Sequence, residues 1–171
     1  MRLLILGGTR SLGRATAAHA VATGHEVTCA ARGRSGPVAA GATLVRVDRD
    51  RPDGLAPLAG RTFDAVIDVS SVPSQVRRAV ADLAGRVGHW TYVSTISVYA
   101  DLSVPGGRVD NTPVKPPAPP EIDDPTANDY EHYGACTAAR LVHRDGAANL
   151  KSGLDPADEA SVLEAWGKSR A

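Results

Sequence analysis

Short apolar runs alternate with segments of helical periodicity along the first half of the chain. The apolar runs predict five buried strands, at residues 3–6, 25–31, 43–47, 63–69 and 90–94. Helical patterns occupy residues 14–23 and 74–86. Strands that alternate with helices are typical of a parallel sheet with both faces covered. We therefore expect an α/β fold of three layers around a doubly wound parallel sheet.

The first apolar run leads directly into a glycine-rich turn with the sequence Gly-Gly-Thr-Arg-Ser-Leu-Gly. Two adjacent glycines allow the backbone to turn sharply beneath a pyrophosphate, and the last glycine lets the next helix pack closely on the strand. The free N–H groups at a helix start attract negative charge. An arginine replaces the usual middle glycine. The predicted dinucleotide-binding residues of this turn are Gly7, Gly8, Thr9, Arg10, Ser11, Leu12 and Gly13.

The context of the turn favours a ligand-binding role. The turn is followed by a helix and a second buried strand, which completes a βαβ unit of about thirty residues. This is the arrangement of a Rossmann-type domain. The alternative interpretation, a plain strand-to-helix turn without a ligand, stays open at this point.

Polar residues that follow the strands form the second part of the predicted site, because ligands of doubly wound sheets bind beyond the carboxyl ends of the strands. Arg32 and Arg34 follow the second strand, where an acidic residue suits the ribose hydroxyls of NAD and arginine suits the 2′-phosphate of NADP. Arg10 is placed to reach the same phosphate. NADP is therefore the preferred cofactor, with NAD as the alternative.

Two further polar residues end later strands. Asp48 ends the third strand, where it is expected either to accept a hydrogen bond from the adenine amino group or to cap its own loop. Ser70 follows the fourth strand and is expected near the nicotinamide ribose, although small polar residues are also ordinary loop formers.

A proline-rich segment, residues 103–128, interrupts the alternating pattern. It can form neither a helix interior nor a central strand, so it is a long loop, either a lid over a ligand or a disordered insertion. A helical pattern returns at residues 129–143. We expect a nucleotide-binding domain over residues 1–144 and a C-terminal tail over residues 145–171, with a short helix at residues 156–167.

Composition narrows the partners of the chain. The 171 residues carry 19 basic and 19 acidic side chains, which does not favour a nucleic-acid or membrane surface, so a small molecule is the expected partner. Cys29 and Cys136 are expected to be reduced thiols, and no histidines stand at metal-ligand spacing. Apolar runs are too short for a signal-peptide core or a membrane span, which predicts a cytoplasmic protein.

These motifs together resemble the NAD-dependent epimerase/dehydratase family of the extended short-chain dehydrogenase/reductase superfamily. The resemblance rests on the glycine turn, Arg-Gly-Arg at 32–34, Asp-Arg-Asp at 48–50, the segments 66–70 and 92–99, and Tyr133 with Gly134. It implies that hydride passes to or from the nicotinamide while a tyrosine moves a proton at the substrate hydroxyl. The matching catalytic residues are Thr95, which would orient the substrate oxygen, and Tyr133.

The resemblance is incomplete. Family members carry a lysine one helical turn after the tyrosine, where it holds the nicotinamide ribose and favours tyrosinate, whereas this chain has the uncharged Thr137. Family members also continue into a substrate-binding region. The departures favour a truncated product, or a reading frame displaced near Cys136.

Three hypotheses about function follow. The chain is an NAD(P)-dependent oxidoreductase or epimerase acting on a nucleotide-sugar or similar small substrate, or a non-catalytic NADP(H)-binding sensor or regulatory module. The third hypothesis is an incomplete, non-functional fragment. Homodimer formation would stabilise such a chain by covering apolar faces and a sheet edge.

Overall fold

A computed structural model describes residues 1–93, 99–101, 103, 105 and 112–113. The described residues contain one sheet of parallel strands: β1 (Arg2–Leu6), β2 (Glu26–Ala31), β3 (Thr43–Arg46), β4 (Ala65–Asp68) and β5 (Trp90–Tyr92). Two α-helices accompany them, α1 (Ser11–Ala22) and α2 (Pro73–Leu83), with a 3-10 turn at Ala56–Leu58. The predicted α/β fold with a five-stranded parallel sheet is confirmed.

The strand order is β3-β2-β1-β4-β5, so the chain builds the sheet outward from β1 in two opposite directions. Crossovers between parallel strands are right-handed, and reversing their direction moves the connecting helix to the other face of the sheet. Helices α1 and α2 therefore cover opposite faces, which gives three layers. The change of direction between β1 and β4 leaves a crevice at the carboxyl edge of the sheet, where such folds bind ligands.

Two apolar clusters of the core lie on opposite faces of the sheet, and both include residues of β1. One contains Leu3 and Ile5 of β1 with Ala17 of α1, and the other contains Leu4 and Leu6 of β1 with residues of α2. Successive side chains of a strand point to opposite faces, so β1 contributes to both clusters. This explains why β1 is apolar without interruption from its second residue.

One difference from the sequence-based boundaries concerns the start of α1. Its predicted start at residue 14 is wrong, because the helix begins at Ser11. The carbonyl of Arg10 accepts a hydrogen bond from the N–H of Arg14 at 3.0 Å, so the last residues of the glycine turn already form the first helical turn. The strands and α2 differ from the prediction by one to three residues at their ends, where periodicity carries little information.

Several predicted features lie outside the described residues. They are the helical pattern at 129–143, the tail at 145–171 with its helix at 156–167, and all of the proline-rich segment except residues 103, 105, 112 and 113. Within the part that the structure describes, no helix is both long and apolar enough to cross a membrane.

Candidate functional site

The glycine turn after β1 has a backbone that side chains would obstruct. Gly7 and Gly8 have φ angles of 126° and 95°, which L-residues with a Cβ rarely adopt. A Cβ on Gly7 would lie 2.6 Å from Cγ2 of Val69, and a Cβ on Gly8 would lie 2.6 Å from Sγ of Cys29. A Cβ on Gly13 would lie 2.8 Å from the backbone N of Gly8, so α1 packs against the turn itself. The turn therefore requires glycine at all three positions.

The N-terminus of α1 follows this turn. Arg10 is the N-cap in extended conformation, with φ of −130° and ψ of 155°, and no side chain caps the helix. Because the first intrahelical bond is donated by Arg14, the N–H groups of Ser11, Leu12 and Gly13 have no acceptor within the helix. Together with the positive end of the helix dipole, such groups favour an anion.

A cavity of about 200 Å³ lies at the carboxyl edge of the sheet, next to the glycine turn. The ends of β1, β2 and β4, the segment before α1 and the first turn of α2 line it. Six predicted site residues are brought together there: Gly7, Thr9, Arg10, Arg32, Arg34 and Ser70. The other predicted residues of the glycine turn, Gly8, Ser11, Leu12 and Gly13, shape the turn and the helix start without lining this cavity.

Four arginines line the cavity, Arg10, Arg32, Arg34 and Arg49, and they differ in their ion pairs. Nη1 of Arg32 lies 3.1 Å from Oδ2 of Asp50, and both side chains are about half exposed. Arg10 and Arg34 form no ion pair with any residue that the structure describes. The backbone after β2 is held separately, because Nη1 of Arg46 donates to the Arg32 carbonyl at 3.1 Å. Among the described residues, Arg10 before α1 and Arg34 after β2 are thus cationic lining residues that are free to meet an anion.

Asp48 lies beside this cavity and lines a neighbouring one of about 420 Å³, which also includes Arg32 and Arg34. Its Oδ1 accepts a long hydrogen bond of 3.4 Å from the N–H of Asp50. This hydrogen bond agrees with the interpretation that Asp48 caps its own loop. The hydrogen bond between Asp48 and adenine stays a prediction.

A buried ion pair beneath the cavity was not predicted from the sequence. Arg49 donates from Nη1 and Nη2 to the two carboxylate oxygens of Asp68, at 2.9 and 2.8 Å. The Asp68 side chain is fully buried and that of Arg49 is 9% exposed. Nη2 of Arg49 also donates to the carbonyl of Gln75 at 2.9 Å. The loop after β3 is therefore anchored to the end of β4 and to the start of α2.

One signal in the sequence points to this pair. Asp68 is a carboxylate in an otherwise apolar strand, and a charge buried in a central strand needs a partner. Which arginine supplies that partner is decided by the sheet order, since Arg49 belongs to a loop on the other side of β1.

Ser70 is held by four hydrogen bonds at the cavity wall. Its N–H donates to Oδ1 of Asp68 at 2.9 Å, and its hydroxyl donates to Oε1 of Gln75 at 2.8 Å. The hydroxyl also accepts from the N–H of Val72 at 3.2 Å, and the carbonyl accepts from the Tyr92 hydroxyl at 3.0 Å. These hydrogen bonds fix Ser70 at a position that lines the cavity. Its contact with the nicotinamide ribose stays a prediction.

Cys29 lies directly beneath the glycine turn. Burial raises the pKa of its thiol to about 11, because the apolar surroundings disfavour the thiolate. A neutral thiol is a poor nucleophile, so this residue packs against Gly8 as a small apolar side chain. The expectation of a reduced core thiol agrees with this environment.

The two predicted catalytic residues, Thr95 and Tyr133, lie outside the described residues, and so do Cys136 and Thr137. Their roles remain predictions. Among the residues that are described, no group of three or more His, Cys, Asp or Glu side chains is placed to hold a metal ion.

The strand order, the glycine turn and the crevice at the carboxyl edge define a Rossmann-type α/β domain. Known structures share this fold. They include UDP-galactose 4-epimerase, with a TM-score of 0.60, 20% identity, and coverage of 82% of this chain and 52% of the epimerase. A second is the Bordetella bronchiseptica enzyme WbmG in complex with NAD and UDP, with a TM-score of 0.65, 17% identity, and coverage of 85% of this chain and 50% of WbmG.

A third similar structure is a Burkholderia multivorans protein assigned to the short-chain dehydrogenases/reductases, with bound NADP. Its TM-score is 0.60 at 18% identity, with coverage of 82% of this chain and 70% of that protein. The chain spans about half the length of the epimerase and of WbmG. No family model and no curated protein sequence matches the chain. At these identities the comparisons establish the Rossmann-type fold expected from the resemblance.

Proposed function

We propose that the chain binds a nicotinamide dinucleotide, NADP in preference to NAD, along the carboxyl edge of the sheet. The observation that carries this proposal is the glycine turn before α1. Its backbone is free of side chains at Gly7, Gly8 and Gly13, and it leads to helix N–H groups without intrahelical acceptors. A pyrophosphate is the part of the coenzyme that such a turn fits.

The preference for NADP rests on the β2 side of the cavity. NAD and NADP differ by a phosphate on the adenosine ribose, and arginine suits that phosphate because it offers several donors together with a permanent charge. Arg10 and Arg34 line the cavity and have no carboxylate partner among the described residues. They are the residues that would hold the 2′-phosphate, with Arg32 beside them.

The structural neighbours support nicotinamide coenzymes as the ligand class. WbmG is a complex with NAD and UDP, and the Burkholderia multivorans protein has bound NADP. Both proteins share the fold of this chain but are less than 20% identical to it in sequence. The preference of this chain for NADP or NAD therefore depends on its own arginines.

Titration calorimetry of the full chain with NADPH and NADH tests this proposal. We expect NADPH to bind more tightly than NADH. Arg34→Ala should weaken NADPH binding by about tenfold, since one hydrogen-bonded charge contact is worth about 1.4 kcal/mol or more, and should leave NADH binding nearly unchanged. Arg14→Ala is the matched control, because this exposed arginine on α1 lies outside the cavity lining.

Failure of folded protein to bind either coenzyme would contradict the proposed function. Equal losses of NADPH affinity in the Arg34→Ala and Arg14→Ala proteins would contradict the assignment of Arg34, because both changes remove one positive charge.

The proposal extends to a reaction, which is oxidation or reduction of a carbinol or carbonyl on a nucleotide-sugar or similar small substrate. The similarity to UDP-galactose 4-epimerase favours this class. The coenzyme, when bound, supplies a hydride acceptor or donor. Tyr133 would exchange a proton with the substrate hydroxyl, and Thr95 would orient the substrate oxygen by a hydrogen bond. A cytoplasmic location and a homodimer belong to the same proposal.

Tyr133→Phe separates this reaction from the non-catalytic alternative. We expect the variant to lose turnover while its NADPH affinity stays within about twofold, because the phenol hydroxyl would act on the substrate and not on the coenzyme. Turnover is measured as coenzyme oxidation or reduction with nucleotide-sugars. If the unmodified chain binds NADPH and turns over no substrate, the uncharged Thr137 favours a sensor or regulatory module.

A further inference from the structure

The carboxylate of Asp50 connects two sides of the cavity. Its Oδ2 accepts a hydrogen bond from Nη1 of Arg32 at 3.1 Å, and its Oδ1 accepts one from Nε2 of Gln75 at 2.5 Å. Arg32 follows β2 and Gln75 lies in the first turn of α2, so the two donors approach from different elements. Both donors line the cavity, whereas Asp50 is not one of its lining residues.

The loop that carries Asp50 is anchored independently of any ligand. The preceding residue, Arg49, is fixed by its buried ion pair with Asp68. The carbonyl of Arg49 also accepts a hydrogen bond of 2.6 Å from Nη2 of Arg78 on α2. These contacts hold the backbone directly before Asp50, within reach of both Arg32 and Gln75.

Asp50 also changes the charge that the cavity presents. Four arginines line it, and two of them have carboxylate partners among the described residues: Arg32 pairs with Asp50, and Arg49 pairs with Asp68. The positive charge of Arg32 is partly offset, while those of Arg10 and Arg34 are not. A 2′-phosphate on the ribose carries about −1.5 to −2 charges near neutral pH and would compete with Asp50 for Arg32, whereas a ribose hydroxyl would not.

We propose that Asp50 is a specificity-determining residue that acts through Arg32 and limits how strongly the site prefers NADP to NAD. This inference rests on the proposed coenzyme-binding function. Removing the negative charge frees Arg32 for the phosphate and removes a repulsion from it, and both effects favour the phosphorylated coenzyme. Asp50→Asn also removes the ion pair that orients the Arg32 side chain. Because that ion pair is exposed, its loss should weaken NADPH binding only slightly.

Asp50→Asn tests the inference by calorimetry of the full chain with NADPH and NADH at low ionic strength. We expect the Kd for NADPH to fall about fivefold and the Kd for NADH to change less than about twofold, with the difference shrinking as salt screens the charges. Asp53→Asn is the matched control, because it removes the same charge from the same loop. Asp53 pairs with Arg51 at 3.2 Å and, among the described residues, forms no hydrogen bond or ion pair with Arg32 or Gln75.

A double-mutant cycle with Arg32→Ala distinguishes an effect through Arg32 from a structural effect. In the Arg32→Ala background, Asp50→Asn should no longer alter the ratio of the two dissociation constants. An effect that persists there would overturn the inference, and so would equal changes for both coenzymes or an equal effect of Asp53→Asn. If the unmodified chain binds neither coenzyme, the proposed function fails first and the inference fails with it.

Discussion

Arg49 is the residue on which the architecture of the site depends most. Its guanidinium joins the loop after β3 to the buried Asp68 at the end of β4 and to the Gln75 carbonyl on α2. A carboxylate that is fully buried requires such a partner, because leaving a charge unpaired in the interior costs several kcal/mol. The same residue lines the cavity, so stability and site geometry are linked at this position.

Arg49→Leu should lower the free energy of unfolding by about 3–5 kcal/mol, since it leaves the Asp68 carboxylate buried without a counter-charge. Urea denaturation followed by circular dichroism measures this loss. Arg51→Leu is the control, because its ion pair with Asp53 is exposed and should contribute less than about 1 kcal/mol.

The double variant Arg49→Leu/Asp68→Leu checks the cause. Replacing both charges by apolar side chains removes the unpaired carboxylate, so the double variant should be more stable than Arg49→Leu alone. A double variant that is less stable than Arg49→Leu would contradict this cause and show that the hydrogen bond from the Ser70 N–H to Asp68 outweighs the cost of the unpaired charge.

At the scale of elements, the glycine turn joins β1 to α1 under tight steric limits. Gly8 has a positive φ, and a Cβ there would meet the Cys29 sulfur at 2.6 Å. Glycine is thus required both by the backbone conformation and by the close approach of β2.

Gly8→Ala is expected to be more destabilising than Gly24→Ala. Gly24, beyond α1, also has a positive φ, of 82°, but a Cβ there would meet nothing within 4 Å. The Gly24 variant reports the backbone strain alone, about 1 kcal/mol, while the Gly8 variant adds overpacking of about 1–3 kcal/mol. Thermal unfolding of both proteins measures the difference, and equal losses would contradict the close contact with Cys29.

The elements themselves were largely predictable. Apolar runs and helical periodicity identified the five strands and two α-helices that the described residues contain, because these patterns reflect which side chains each element buries. The start of α1 was misplaced because it depends on the extended conformation of Arg10, and no capping side chain marks that residue.

At the scale of the whole molecule, ligand binding and folding are coupled. A coenzyme that binds only the folded chain stabilises it by about 2.7 kcal/mol at a hundredfold excess over its Kd. For a chain of this size we expect NADPH to raise the melting temperature by about 5–10 °C, and by less in the Arg34→Ala protein at the same concentration. Inorganic phosphate at equal concentration is the control, and an equal shift with phosphate would indicate a general anion effect.

The sequence predicted which residues form the candidate site, but only some of the contacts between them. Gly7, Thr9, Arg10, Arg32, Arg34 and Ser70 do meet at one cavity, because the carboxyl ends of parallel strands share one edge. The contacts of Asp50 were not predicted. Its partners Arg32 and Gln75 are 18 and 25 residues away along the chain, and no local pattern connects them.

Local hydrophobic periodicity and local backbone sterics were enough to predict the strands, the helices and the turn that requires glycine. Which charges pair depends on the folded arrangement of the chain. Arg49 meets Asp68 because the sheet order brings the loop after β3 to the end of β4, 19 residues further along the chain. Pairing between distant residues depends on how the sheet is assembled, and that is a property of the folded chain as a whole.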